Sequence, residues 1–151
     1  MSNYSFGKRS EKQLKTCHLD LQKILRLAIS RSKIDFGISE GHRDIERQYQ
    51  LFLEGKSKID GLSIKGKHNE IPSLAADLYV YHNDTNTRRK LAYDKIHLAY
   101  IAGLIDSCAR ELFENAEVSH IIRWGANWDC DGVIDFDQSF DDYPHVELIK
   151  F

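Results

Sequence analysis

A carboxylate in the middle of an apolar strand pattern constrains this chain more than any other feature. Residues 75–81 read AADLYVY, a run of strand length with aromatic and branched side chains, entered from a turn at Pro72 and Ser73. Asp77 lies inside that run. A charged group drawn into a sheet is costly unless it has a partner, so Asp77 needs a reason to be there.

The remaining segments supply the elements around that strand. Ser10 followed by Gln13 is a capping-box pattern, and Leu14, Cys17, Leu21, Ile24, Leu25 and Ala28 recur at helical spacing, which predicts a first helix running to about Arg31. Ile34, Phe36 and Ile38 alternate with polar residues, as in a half-buried strand that delivers the chain to Gly41, His42 and Arg43. Ile45, Tyr49, Phe52 and Leu53 predict a short second helix ended by Gly55, and residues 56–67 read as a polar surface loop. From about Thr87 to Asn115, the residues Leu91, Leu98, Ala102, Ile105, Ala109 and Leu112 share one face, predicting the longest helix and the main core partner. A strand at Ile121 to Trp124, a glycine- and Asp-rich loop, and a last strand from His145 to Phe151 complete the pattern. The layout is α+β, a small, mainly antiparallel sheet with helices packed on one side.

Length and charge narrow the function. With 151 residues, the chain fits one domain, taken as residues 1–151. A net charge of -2 gives no positive field for nucleic acid. Cys17, Cys108 and Cys130 are an odd set without a CxxC pair and read as reduced thiols. The opening MSNYSFGKRSEKQ carries no apolar stretch of signal-peptide length, and no later run approaches a membrane span, so cytosolic synthesis without membrane insertion is expected.

His68 and Asp77 bracket the turn at residues 69–76, so an excursion from loop to strand brings both side chains to one point, and His145 on a neighbouring strand adds a third. Catalytic zinc takes three such ligands and leaves a fourth position for water, whose pKa it lowers to about 7. Asp142 lies three residues before His145, and Pro144 disfavours helix at Tyr143, so the segment arrives extended with a carboxylate in reach of a bound water, as a general base requires. Spacing alone leaves a plainer alternative open, because loop histidines are usually exposed and seven histidines offer many accidental triples.

The segment from His68 to Asp77, HNEIPSLAAD, and the segment DYPHVE from Asp142 resemble the two zinc motifs of the D-alanyl-D-alanine carboxypeptidase and L-alanyl-D-glutamate endopeptidase family of phage endolysins. Gly41-His42-Arg43 with Gln48, EGKSKIDG at residues 54–61, and WGANWDCDG at residues 124–132 match in the same order, nearly along the whole chain. The resemblance implies a hedgehog/DD-peptidase-like fold and a zinc peptidase with His68, Asp77 and His145 as ligands and Asp142 as base. It gives Arg43 the role of polarising the scissile carbonyl or binding a substrate carboxylate, which suits a permanently charged planar donor. The implied substrate is the peptidoglycan stem peptide, cut at the L-alanyl-D-glutamate bond. D-alanyl-D-alanine cleavage and a non-catalytic zinc-stabilised binding module are the alternatives. A monomeric endolysin is implied, held in the host cytoplasm until a holin releases it to the periplasm and cell wall.

Two departures stand out. Gly66 occupies the place of the family's serine two residues before the first histidine, and a Pro72-Ser73 turn lengthens the spacing to Asp77; Ser63 or Ser73 could supply the missing hydrogen bond, or nothing does. Asp129, Asp131, Asp135 and Asp137 offer hard oxygen ligands of the kind calcium prefers, although the EF-hand's terminal glutamate is missing and the residues read first as a solvated acidic loop. Trp124, Trp128, Tyr79 and Tyr81 could line a groove or fill the core.

Overall fold

The computed structural model describes residues 4–151; the first three residues of the N-terminal stretch lie outside it. Four strands form one antiparallel sheet in the order β1-β2-β4-β3: β1 is Phe36–Glu40, β2 Ala75–Val80, β3 Ile121–Gly125 and β4 Asp142–Ile149. Around it run α1 (Lys8–Leu14), α2 (Leu19–Arg31), α3 (Ile45–Leu53), α4 (Thr85–Leu91) and α5 (Lys95–Glu114). The α+β layout expected from the sequence is therefore the one observed.

Alternation along the strands divides the sheet into two unlike faces. Phe36 and Ile38 of β1, Ala76, Leu78 and Val80 of β2, Ile122 of β3, and Val146 and Leu148 of β4 are buried on one face. Leu21, Ile24, Leu25 and Ala28 of α2 and Leu98, Ile101, Ile105 and Ala109 of α5 join the same core. The residues between them, Asp77, Arg123, His145 and Glu147, belong to the other face. The polar residues that looked out of place in the strand patterns are thus the second face of a sheet whose first face builds the core.

Two expected helices are broken, for one physical reason. The stretch up to Arg31 divides between Leu14 and Leu19 because its backbone turns to pair with the turn before β2: the Ser73 amide donates to the Thr16 carbonyl (2.9 Å) and the His18 amide to the Ser73 carbonyl (2.8 Å). The His18 ring then caps α2 by accepting the Asp20 amide. The stretch from Thr87 to Asn115 starts at Thr85 and divides after Leu91, where the Ala92 carbonyl accepts the Val80 amide at the end of β2 (2.9 Å) and Asp94 caps α5. In both cases, hydrogen bonds to the central strand's flanks outweigh helical continuity, which periodicity alone does not reveal. The last strand also starts three residues early, at Asp142 rather than His145.

Ile105, fully buried at the centre of α5, carries the core packing. Ile105→Ala should cost about 2–5 kcal/mol, seen as a lowered urea midpoint at unchanged m; a loss below about 1 kcal/mol would contradict this account of the core.

Candidate metal centre and active site

Asp77 and His145 stand directly opposite each other in the β2-β4 ladder, which sets their side chains on the same face and within reach of each other. His68 comes from a single 3-10 turn at Lys67–Asn69, tied down on both sides: the Leu74 amide donates to the Lys67 carbonyl (3.0 Å) and the Arg43 amide to the His68 carbonyl (2.8 Å). The three predicted ligands therefore meet although 77 positions separate His68 from His145.

Their donor atoms form a near-equilateral triangle. His68 Nε2 lies 3.3 Å from Asp77 Oδ1, His145 Nδ1 lies 3.4 Å from the same oxygen, and the two ring nitrogens are 3.2 Å apart. Tetrahedral zinc with bonds of about 2.0–2.1 Å separates its ligand atoms by about 3.3–3.4 Å, so the triangle has the right size. Hydrogen bonds on the far sides fix the tautomers. His68 Nδ1 donates to the Gly41 carbonyl (2.7 Å) and His145 Nε2 donates to Glu147 Oε1 (2.8 Å), leaving a lone pair on each inward nitrogen. Asp77 Oδ1 is buried without a hydrogen-bond partner. Two facing lone pairs and an orphaned carboxylate oxygen are unfavourable together unless a cation sits among them, and this donor set suits zinc.

The neighbouring charges hold that arrangement. Burial alone would raise the Asp77 pKa, but the two imidazoles keep it well below the usual carboxylate range. Burial would lower the His145 pKa, yet the neighbouring carboxylates of Asp77 and Glu147 raise it to about 9, so that without a metal a proton is held among these groups and a cation arriving there takes its place. Arg43 is buried and spends its guanidinium inside the protein: Nη2 donates to Asp77 Oδ2 (3.0 Å) and Glu40 Oε2 (2.8 Å), and Nη1 to Gln48 Oε1 (3.0 Å). Asp77 therefore has one oxygen fastened by Arg43 and the other turned to the histidines. On the opposite side, Arg123 Nη2 binds Glu147 Oε2 at 2.9 Å, completing a chain from Arg123 through Glu147 to His145.

Two irregularities bring further carboxylates to this face. In β1 the register slips between Ile38 and Glu40, so that Glu40 pairs with Asp77 instead of following Ile38 into the core. Regular alternation would likewise turn Asp142 away from His145, three residues on. The β3-β4 register slips between Trp124 and Gly125, where Gly125 pairs with Asp142, and both Asp142 and His145 line one open groove with His68 and Asp77. Gly125 has no alternative at this point: a Cβ there would lie 2.1 Å from the Asp142 carbonyl oxygen. Burial and the nearby Asp77 charge raise the Asp142 pKa, against the pull of His145, His68 and Arg43.

Other expected residues take different places. Ser63 hydrogen-bonds Asp60 and Ser73 the Ala75 carbonyl, so neither replaces the missing serine; the Gly41 carbonyl orients His68 instead. Of the four aromatics, Trp128 lines the groove, its ring 5.2 Å from that of His145. Asp129, Asp131 and Asp137 converge, all exposed, whereas Asp135 turns to the Tyr143 hydroxyl. Asp129 and Asp131 each accept a backbone amide two residues on, as turn-forming aspartates do. A further group, His18, Asp20 and His120, is unlike the first: His18 Nδ1 spends its lone pair on the Asp20 amide and Asp20 Oδ2 accepts from Ser119. Glu147, Arg123 and Glu40 were not anticipated. The signal for Glu147 was its position two residues after His145, which in a strand means the same face.

Glu147→Gln should weaken zinc binding about 10- to 100-fold, measured by competition with a chromogenic chelator; unchanged affinity would contradict the role given to the Glu147 hydrogen bond.

Residues 1–149 match the family described as phage L-alanyl-D-glutamate peptidase. The chain is 31% identical to the L-alanyl-D-glutamate peptidase of Escherichia phage T5, over 97% of this chain and 99% of that protein. It superimposes on the crystal structure of the L-Ala D-Glu endopeptidase ChiX of Serratia marcescens with a TM-score of 0.71 and 25% identity, covering 96% of this chain and 90% of that one. A match over nearly the full length, on a fold whose sheet face gathers a His, Asp and His triangle, places the chain in the phage L-alanyl-D-glutamate peptidase family.

Proposed function

We propose that this chain is a single-domain zinc peptidase that hydrolyses the L-alanyl-D-glutamate bond of peptidoglycan stem peptides. The observation that carries this reading is the orphaned Asp77 Oδ1 facing two inward imidazole lone pairs, in a groove that also holds Asp142. His68 Nε2, Asp77 Oδ1 and His145 Nδ1 would hold the metal, which when bound supplies Lewis acidity and makes water acidic enough to deprotonate near neutral pH. Asp142 takes a proton from the attacking water and delivers it to the leaving amine; its raised pKa favours holding that proton between the two steps. Arg43 we assign to Asp77, since its Nη groups are already engaged with Asp77, Glu40 and Gln48. Trp128 walls the groove beside His145.

Cell-wall cleavage during phage release, after passage from the host cytoplasm through a holin lesion, fits the family; no helix among the described residues is long and apolar enough to cross a membrane. A monomer is proposed. Calcium at Asp129, Asp131 and Asp137 is a secondary proposal, resting on their convergence; titration of the zinc-loaded protein with calcium should release heat, and a flat titration would remove it.

Asp142→Ala should retain zinc and lose at least about 100-fold in cleavage of muropeptides followed by mass spectrometry, and full activity in that variant would overturn the base assignment. Gly125→Ala, which displaces the Asp142 backbone without touching a ligand, should reproduce that phenotype with zinc still bound. If it leaves cleavage unchanged, Gly125 does not position the base. The mass of the products distinguishes L-alanyl-D-glutamate cleavage from cleavage at D-alanyl-D-alanine.

A further inference from the structure

One wall of the groove is not used by the chemistry above. Lys56, Lys58 and Lys65 from the loop after α3, and Lys67 from the His68 turn itself, all line it, in a chain whose net charge is -2. Most other charges in the groove are neutralised in place: Arg43 and Arg47 by Glu40 and Asp77, Arg123 by Glu147. Lys56 is paired with Glu54 at 3.0 Å, and Lys58 stands over the Phe140 ring at 5.2 Å, reaching across toward the opposite wall. Lys65 and Lys67 have no carboxylate partner among the described residues. On this wall the positive charge without a carboxylate partner is therefore carried by Lys58, Lys65 and Lys67; Arg9 of α1 is the other cation of the groove with no ion pair among the described residues.

The backbone carrying these lysines is fixed. Gln48, 2% exposed, donates from Nε2 to the Ser57 hydroxyl (2.9 Å) and the Ile59 carbonyl (2.7 Å) while its Oε1 accepts from Arg43. Asp60 Oδ1 accepts the amides of Leu62, Ser63 and Ile64 at 2.9, 3.0 and 3.1 Å. Gly61 turns the loop at a φ of +77°, where a Cβ would come within 2.8 Å of the Gln48 side chain. The same Gln48 and Arg43 that brace Asp77 thus also brace the lysine wall, so the ammonium groups start from a backbone held in register with the metal site.

An L-alanyl-D-glutamate link leaves the glutamate with a free carboxylate whenever only one of its two carboxyls is in amide linkage, a few bonds from the amide to be cut. We propose that Lys58, Lys65 and Lys67 form the subsite for that carboxylate, so that the enzyme selects acidic stem peptides over those in which the same carboxylate is a carboxamide. This rests on the peptidase reading above. The lysines act through charge on a solvated wall, where a single pair contributes modestly and three together give a preference of about five- to tenfold.

The test compares two synthetic stem peptides that differ only in carboxylate or carboxamide at that position. The wild-type zinc enzyme should cleave the acid with about five- to tenfold higher kcat/KM, mainly through KM, and the ratio should shrink as salt is added. The Lys58→Gln/Lys65→Gln/Lys67→Gln variant should bring the ratio close to one, the corresponding triple arginine variant should keep it, and Lys58→Gln/Lys65→Gln should lower it without altering the residue beside His68. Equal cleavage of both peptides by the wild type, or a full preference surviving in the triple glutamine variant, would overturn the proposal. Cleavage of neither peptide is a separate result that overturns the peptidase reading and this subsite with it.

Discussion

The part-buried carboxylate of Asp77 is the group on which the rest of the site depends. One oxygen is fastened by Arg43 and the other faces His68 and His145 with no hydrogen bond of its own. Removing a charge from water is expensive, and the structure offsets that cost with a guanidinium on one side and two imidazoles on the other. Because Arg43 also binds Glu40 and Gln48, the same guanidinium ties three elements together: β1, α3 and β2. A metal ion held there would give Asp77 Oδ1 the partner it lacks.

The sheet serves two purposes because its two faces are chemically separate, and bulges let residues change face where the chemistry requires it. Glu40 follows two core residues of β1 and still reaches the polar face, since the register slips by one before it. Asp142 has the wrong parity relative to His145 and is brought round by the slip opposite Gly125, at a contact only glycine permits. A regular four-stranded sheet would pack the same core and lose both carboxylates from the site.

Much of this was legible in the sequence. The polar interruption of AADLYVY marked the strand that carries Asp77 to the site, and the distance from His68 to Asp77 was compatible with a turn into it; the order of motifs along the chain raised the His, Asp and His set above other triples. Local patterns could not reveal what depends on pairing across long separations. The break in the first helical stretch follows from hydrogen bonds to Ser73, far away in sequence, and the break in the second from the Val80 amide, which belongs to a different element. The direction of Arg43, inward to Asp77, is set by Glu40 and Gln48, which no periodicity links to it. The departure at Gly66 looked like a lost contact, yet the substitute is a backbone carbonyl, Gly41, which has no side-chain signature at all.

The central claim, that one zinc ion is shared by His68, Asp77 and His145 through defined atoms, is tested most directly by a crystal structure of the zinc-loaded protein with anomalous scattering recorded at the zinc edge. The account predicts one strong peak about 2.0–2.1 Å from His68 Nε2, Asp77 Oδ1 and His145 Nδ1, with His145 Nε2 still on Glu147. A peak bound by another residue group, or ligation by His145 through Nε2 with the Glu147 contact broken, would contradict it.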